Sequence, residues 1–165
     1  GYSLNELTEE DRKEVIDSLW ELTNKYLVIV EPGTPVASKE IRDIRKQLLN
    51  EGAFIVAPCT HCNECPITGE DWCHFVTRLE RSKLHKYLKD ADVPFEDEKY
   101  SYLVLSKEKI CSKYQYRVMR HPIINKGNIA LTVCSVNGIE NKKYFKSNAC
   151  YKELKKIKAG EGFKE

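Results

Sequence analysis

Apolar and polar residues follow two different periods along this chain. Residues 8–26 carry Val15, Leu19, Leu22 and Tyr26 at helical spacing, which predicts an amphipathic helix with those four side chains inward. Thr8 is placed to cap it, with Asp11 three residues on as a capping-box-like partner. Residues 27–30 form a continuous apolar run, the pattern of a buried parallel strand. The sequence Glu31-Pro32-Gly33-Thr34-Pro35 then breaks the chain. A second helix is predicted from a Ser38 N-cap to Asn50, with Ile41, Ile44 and Leu48 inward and Gly52 at its C-terminal cap. Residues 53–57 are again short and apolar. Helix, strand, helix, strand with short connections predicts β-α-β units and a parallel sheet.

Pro58 ends that strand and opens a cysteine loop. A third helix is expected over 74–89, with Phe75, Leu79, Leu84 and Leu88 inward and Arg78, Arg81, Lys83 and Lys86 outward. Residues 100–105 are β-rich. Beyond them, 114–119, 129–135 and 143–145 read as short strands separated by Lys126-Gly127-Asn128 and Val136-Asn137-Gly138 turns, and a lysine-rich helix is expected over 148–158. This second texture predicts a small antiparallel β extension.

Composition fits one domain of ordinary size: 165 residues, with 41% hydrophobic and 32% charged residues, enough apolar material for a core. No apolar run is long enough to span a membrane, and the start shows no signal-peptide pattern, so a cytoplasmic protein is expected. Charge changes the picture more. Residues 1–105 carry 13 Lys/Arg against 20 Asp/Glu, whereas residues 106–165 carry 14 against 5. The basic C-terminal third is therefore a candidate RNA-facing surface, with Arg117, Arg120, Lys126, Lys142 and Lys143 interleaved with Tyr114, Tyr116 and Tyr144. A solvated lysine-rich face, with the tyrosines packing a sheet, fits the same pattern.

Seven cysteines are present, and Cys59, Cys62, Cys65 and Cys73 fall within one short segment beside His61 and His74. Thiolates this dense repel one another unless a metal neutralises them. Pro66 and Gly69 supply turns that aim sulfurs inward. Zinc sites usually pair two short knuckles, whereas Cys-Pro in a tight cysteine run is more ferredoxin-like. The centre is therefore expected to be an iron–sulfur cluster, with zinc, completed by a histidine, as the alternative. Cys111, Cys134 and Cys150, taken alone, read as core residues.

Several segments in the same order resemble one family: 28–35 (Val-Ile-Val-Glu-Pro-Gly-Thr-Pro), 56–61 (Val-Ala-Pro-Cys-Thr-His), Cys65-Pro66, 69–75, 78–85, 95–102 and 126–134. Nearly the whole chain is similar to the C-terminal half of the methyltransferase-like family of ribosomal small-subunit proteins, which includes a mitochondrial small-subunit assembly factor and its bacterial relatives. The resemblance implies a class I, Rossmann-like S-adenosylmethionine methyltransferase fold with a [4Fe–4S] cluster, and binding to small-subunit ribosomal RNA during assembly. Carried over by position, the ligands are Cys59, Cys65, Cys73 and Cys134. Cys62 departs from the family pattern and is either a spare thiol or a substitute ligand. On this reading 1–105 is the C-terminal half of the methyltransferase domain, including the loop 58–74, and 106–165 is the basic extension with its terminal helix.

No Gly-x-Gly-x-Gly or Gly-x-Gly-x-x-Gly follows a strand, and Gly160-Glu161-Gly162 follows a helical pattern instead. The chain is thus expected to be a fragment that starts mid-fold, inactive as a methyltransferase alone and binding S-adenosylmethionine only in the complete protein, with an upstream half of the fold as a candidate partner. No catalytic residue is named. Glu31 is a candidate for lining the cofactor cleft, or for capping backbone at the Pro-Gly turn. The competing functions are an RNA-binding assembly module in the cytoplasm or the mitochondrial matrix, an iron–sulfur redox or electron-transfer protein, and a zinc-binding interaction module.

Overall fold

A computed structural model describes residues 1–90, 92–110 and 112–165. Cys111 lies outside the described residues. After a 3-10 turn at Leu4–Glu6, the elements of the first layer are α1 (Glu9–Leu22), β1 (Tyr26–Pro32), α2 (Pro35–Asn50), β2 (Phe54–Ala57), β3 (Phe75–Glu80), α3 (Lys83–Leu88) and β4 (Phe95–Ser106). The second layer holds β5 (Tyr116–Val118), β6 (Ile123–Ile124), β7 (Asn128–Ser135), β8 (Gly138–Phe145), α4 (Tyr151–Leu154) and β9 (Gly162–Phe163).

The protein is mixed α/β, but its sheets are antiparallel. The long strand β4 sits between β1 and β2 and pairs antiparallel with both. β1 and β2 therefore run parallel to each other without touching. The expected parallel sheet is corrected on this point: no described strand pair is parallel. The β1-α2-β2 pattern predicts the direction of those two strands, but nothing local announces that a strand forty residues later will insert between them.

The expected third helix is also corrected. Residues Phe75–Glu80 extend and pair with Phe95–Tyr100, so this segment is an arm of β-hairpin with a six-residue helix, α3, at its tip. Phe75 alone of the expected inward set is buried; Leu79, Leu84 and Leu88 are exposed. Strand pairing with β4 outweighs a weak helical period here. Glu96 holds the tip down, with Lys89 Nζ at 2.8 Å, His85 Nε2 at 3.3 Å and Arg81 Nε at 3.4 Å. The hydrogen bond from Lys89 comes first among the causes that keep the Glu96 carboxyl below its ordinary range. This contribution is present above about pH 4.3, the ordinary glutamate value, and is lost as pH falls through the lowered folded value. Protection of α3 amides from hydrogen exchange is expected to drop below that window, and Glu96→Gln to remove the step. Unchanged protection in acid would refute it.

Thr8 caps α1 as expected, accepting from Asp11 N at 3.2 Å. The buried face of α1 is Ile16 and Trp20, not the Val15/Leu19/Leu22 stripe, which is exposed. Two apolar stripes compete on this helix, and the one that meets α2 and the sheet wins. α2 starts earlier than expected, capped by Thr34 with Pro35 in its first turn, and buries Ile41, Ile44 and Leu48. These side chains, with Leu27, Ile29, Ile55, Leu103 and Leu105, make the first core.

In the second sheet β7 is central. β8 runs along its whole length, β5 and β6 share its other edge, and β9 lies outside β5. Its core is Val118, Ile129, Leu131, Val133, Tyr144 and Leu154. The predicted turn at 136–138 is present, with Gly138 at φ +108, a conformation costly for other residues. The C-terminal helix is only Tyr151–Leu154, shorter than the expected 148–158.

Candidate metal centre

The cysteine loop is an excursion from one edge of β4. β2 leaves that edge at Ala57, opposite Val104, and β3 rejoins it at Phe75, opposite Tyr100. Ser101 to Leu103 consequently have no strand partner on that side, and the loop folds back over them. Ser101 Oγ donates to Cys73 O at 2.7 Å. Cys73 N donates to Ser38 Oγ on α2 at 3.1 Å. Trp72 Nε1 donates to Gly33 O at 3.0 Å. From α2, Arg42 donates to Ile67 O at 3.1 Å and Arg45 to the carbonyls of His61 and Asn63. The loop is thus held mainly through its backbone rather than through its sulfurs.

The second sheet closes over the loop. Arg117 on β5 donates to Pro58 O at 2.7 Å and Gly160 O at 2.8 Å. Arg120 pairs with Asp71. Gly160 lies so close to the Phe75 ring that a Cβ there would meet Cδ1 at 2.9 Å. Gly160-Glu161-Gly162 is therefore a close-packing element between the layers. Cys134, beside Arg117 in the β5–β7 register, faces the loop, and Ile67, Met119 and Cys134 pack with Cys65 and Cys73 as a small core of their own.

Four cysteines share one cavity here. Cys59, Cys65, Cys73 and Cys134 line one cavity of about 40 Å³, together with Arg42, Arg45, Arg117 and apolar side chains including Ile41, Leu103 and Met119. Burial pushes the Cys59 thiol up, and Arg45 draws it partly back. Burial also pushes up Cys73, and the charges that Cys59, Cys134 and Cys65 would carry push it further. Cys134 is raised to about 12 by burial and then by Cys59 and Cys65. Such thiols stay neutral and inert unless a metal takes their protons.

Among the described residues, no three Cys, His, Asp or Glu side chains converge closely enough to hold a single metal ion. Four cysteine donors are a set that both polynuclear iron–sulfur groups and structural zinc ions take.

The remaining candidates are placed as follows. Cys62 is exposed, accepts from Ile55 N at 3.5 Å, and lines an outer groove with Lys46 rather than the cavity. His61 and His74 do not line the cavity either; His74 stacks on Trp72 with ring centroids 5.0 Å apart. Cys150 packs against the second core. Buried Glu31 accepts from Ser3 N and Leu4 N, each at 3.3 Å, so it holds backbone at the N-terminal turn and not at the Pro-Gly turn. Of the five cations singled out for RNA, Arg117 is buried on carbonyls, Arg120 is on Asp71, and Lys142 is on Glu165 and the Tyr116 hydroxyl. Lys126 and Lys143 are exposed. Lys143 shares a cross-strand row with Ala130 and Ile123, and Asn141 and Phe145 flank it on the same face of the sheet. Phe145 and Ile123 are exposed on that face, which sequence alone had not marked.

A family model described as "Mitochondrial small ribosomal subunit Rsm22" matches residues 1–164. The chain belongs to the Rsm22 family. A human relative of this Rsm22-family chain, "Ribosome assembly protein METTL17, mitochondrial", is 26% identical over 142 residues. The match covers 76% of the chain and 29% of the human protein, so the chain spans less than a third of that relative's length. Within the Rsm22-family chain, the cysteine cavity and the basic second sheet are the two features a function has to account for.

Proposed function

We propose that this Rsm22-family chain is a small-ribosomal-subunit assembly module that holds a [4Fe–4S] centre on Cys59, Cys65, Cys73 and Cys134 and contacts ribosomal RNA with its second sheet. One observation carries the reading: cysteines from the loop and from β7 line a single cavity at the junction of the two layers. When bound, the centre supplies a thiolate cross-link between those layers. The chain's own residues do the rest. Ser38 and Ser101 fix the Cys73 backbone, Arg117 aligns β5 with Pro58, and the apolar lining excludes water from the sulfurs.

The family description and the human relative's name support the ribosomal role and favour the mitochondrial matrix as its compartment. No described helix is long and apolar enough to cross a membrane. The parallel run of β1 and β2, joined by α2, supports reading the first layer as one end of a Rossmann-like sheet. S-adenosylmethionine chemistry belongs, on this reading, to the larger protein, because no glycine-rich loop follows a strand within these residues.

Metal analysis of anaerobically purified chain tests the centre. Iron with sulfide and a broad visible absorption are expected, and zinc without colour would refute the cluster. For RNA, anisotropy with a single-stranded probe is expected to show affinity that falls steeply with salt. Lys126→Glu and Lys143→Glu should each lower the salt slope by about one ion or more. Phe145→Ala should cost about 1–3 kcal/mol if a base stacks on the ring. Salt-independent binding, or variants that bind like the parent, would refute this surface.

A further inference from the structure

The chain has seven arginines, and their partners divide them sharply. Arg12 faces Glu40, Arg78 faces Asp97, Arg81 faces Glu96 and Arg120 faces Asp71. Arg42, Arg45 and Arg117 have no carboxylate partner among the described residues, and all three line the cysteine cavity. Arg45 is 4% exposed and Arg117 is 9% exposed. Their hydrogen bonds go only to backbone carbonyls, and Arg45 Nε is buried with no partner at all.

A buried cation without a counter-ion is strongly unfavourable, and carbonyl dipoles relieve only part of that cost. Elsewhere the fold satisfies its guanidiniums with carboxylates. Around the cavity it collects three and supplies none. Glu64 lines the outer groove beside Arg42 and Arg45 without an ion pair to either among the described residues, and within the cavity itself negative charge can come only from the group it holds.

We propose that Arg42, Arg45 and Arg117 are the counter-charges of an anionic thiolate–metal group on the four cysteines, and that Arg45 in particular raises its reduction potential. This rests on the metal-centre reading above. Four thiolates around an oxidised [4Fe–4S] core leave a net dianion, and one added electron makes a trianion. Fixed positive charge in a poorly solvated wall stabilises the trianion more than the dianion, so it favours reduction. The electron comes from an added low-potential reductant, and no bond to protein is made or broken.

The test uses the full chain, reconstituted anaerobically with ferrous iron and sulfide and titrated by visible absorbance. Arg45→Met is expected to lower the reduced-to-oxidised ratio about tenfold at a fixed potential, a midpoint about 59 mV lower for one electron. Arg45→Lys, which keeps the charge, is expected to recover most of that shift. Arg42 is half-buried and holds only Ile67 O, so Arg42→Met preserves the fold and should give a smaller shift of the same sign. Both methionine variants should also release iron faster to a chelator. Loaded variants with the parent's midpoint and the parent's chelator resistance would overturn the proposal and leave the metal centre standing. A parent chain that takes up no iron with its cysteines reduced would instead sink the metal-centre reading, and this inference with it.

Discussion

Cys134→Ser, prepared without oxygen, is expected to lose nearly all bound iron and visible colour, while Cys62→Ser keeps both. Cys134 is the one cavity cysteine that comes from the second sheet, so it alone ties that sheet to the loop through the centre. Structural zinc centres contribute about 10 kcal/mol or more to small domains. A cross-link of comparable strength would exceed any single core contact here. The melting temperature of the iron-loaded parent should accordingly lie well above that of Cys134→Ser, and the gap should vanish once iron is stripped from the parent. Cys62 lies in the outer groove, which is why its loss should be silent. A Cys134→Ser protein that stays coloured, or a Cys62→Ser protein that bleaches, would refute the ligand set.

Leu105→Ala is expected to cost about 2–5 kcal/mol in urea unfolding, a large share of the stability of an ordinary domain. Leu105 is fully buried on β4, opposite Leu27 on one side and Ile55 on the other. Truncation opens a cavity at the crossing point of the first core, where strands on both sides are held in register and cannot collapse into it. Leu22→Ala on α1, at an 83% exposed position, should stay within about 0.5 kcal/mol of the parent. Equal effects from the two substitutions would mean that the first core does not lie where this sheet order puts it.

Local chemistry made part of this structure readable in advance. The Thr8 cap, the buried Ile41/Ile44/Leu48 face of α2 and the glycine turns of the second sheet all follow from short-range spacing. The cysteine density, the Pro66 and Gly69 turns and the charge imbalance were equally plain, because they are properties of neighbours in sequence. The buried face of α1 is not legible from spacing, because Val15-Leu19-Leu22 and Ile16-Trp20 both fit a helix and only tertiary packing chooses between them.

What the chain's order of residues determined by itself was the set of donors, the Thr8 cap of α1 and the turn at Gly138. Tertiary structure decided which of those donors share a space. From its neighbours in sequence Cys134 reads as an ordinary strand cysteine, and only the family resemblance sets it among the ligands; the fold lays β7 beside β5 and brings Cys134 to the cavity. Arg117 reads as a free surface cation until it is buried on Pro58 O and Gly160 O. The physical reason is common to both. A strand's partner, and therefore the face each side chain meets, depends on hydrogen bonds to residues dozens of positions away, and no local period encodes that choice.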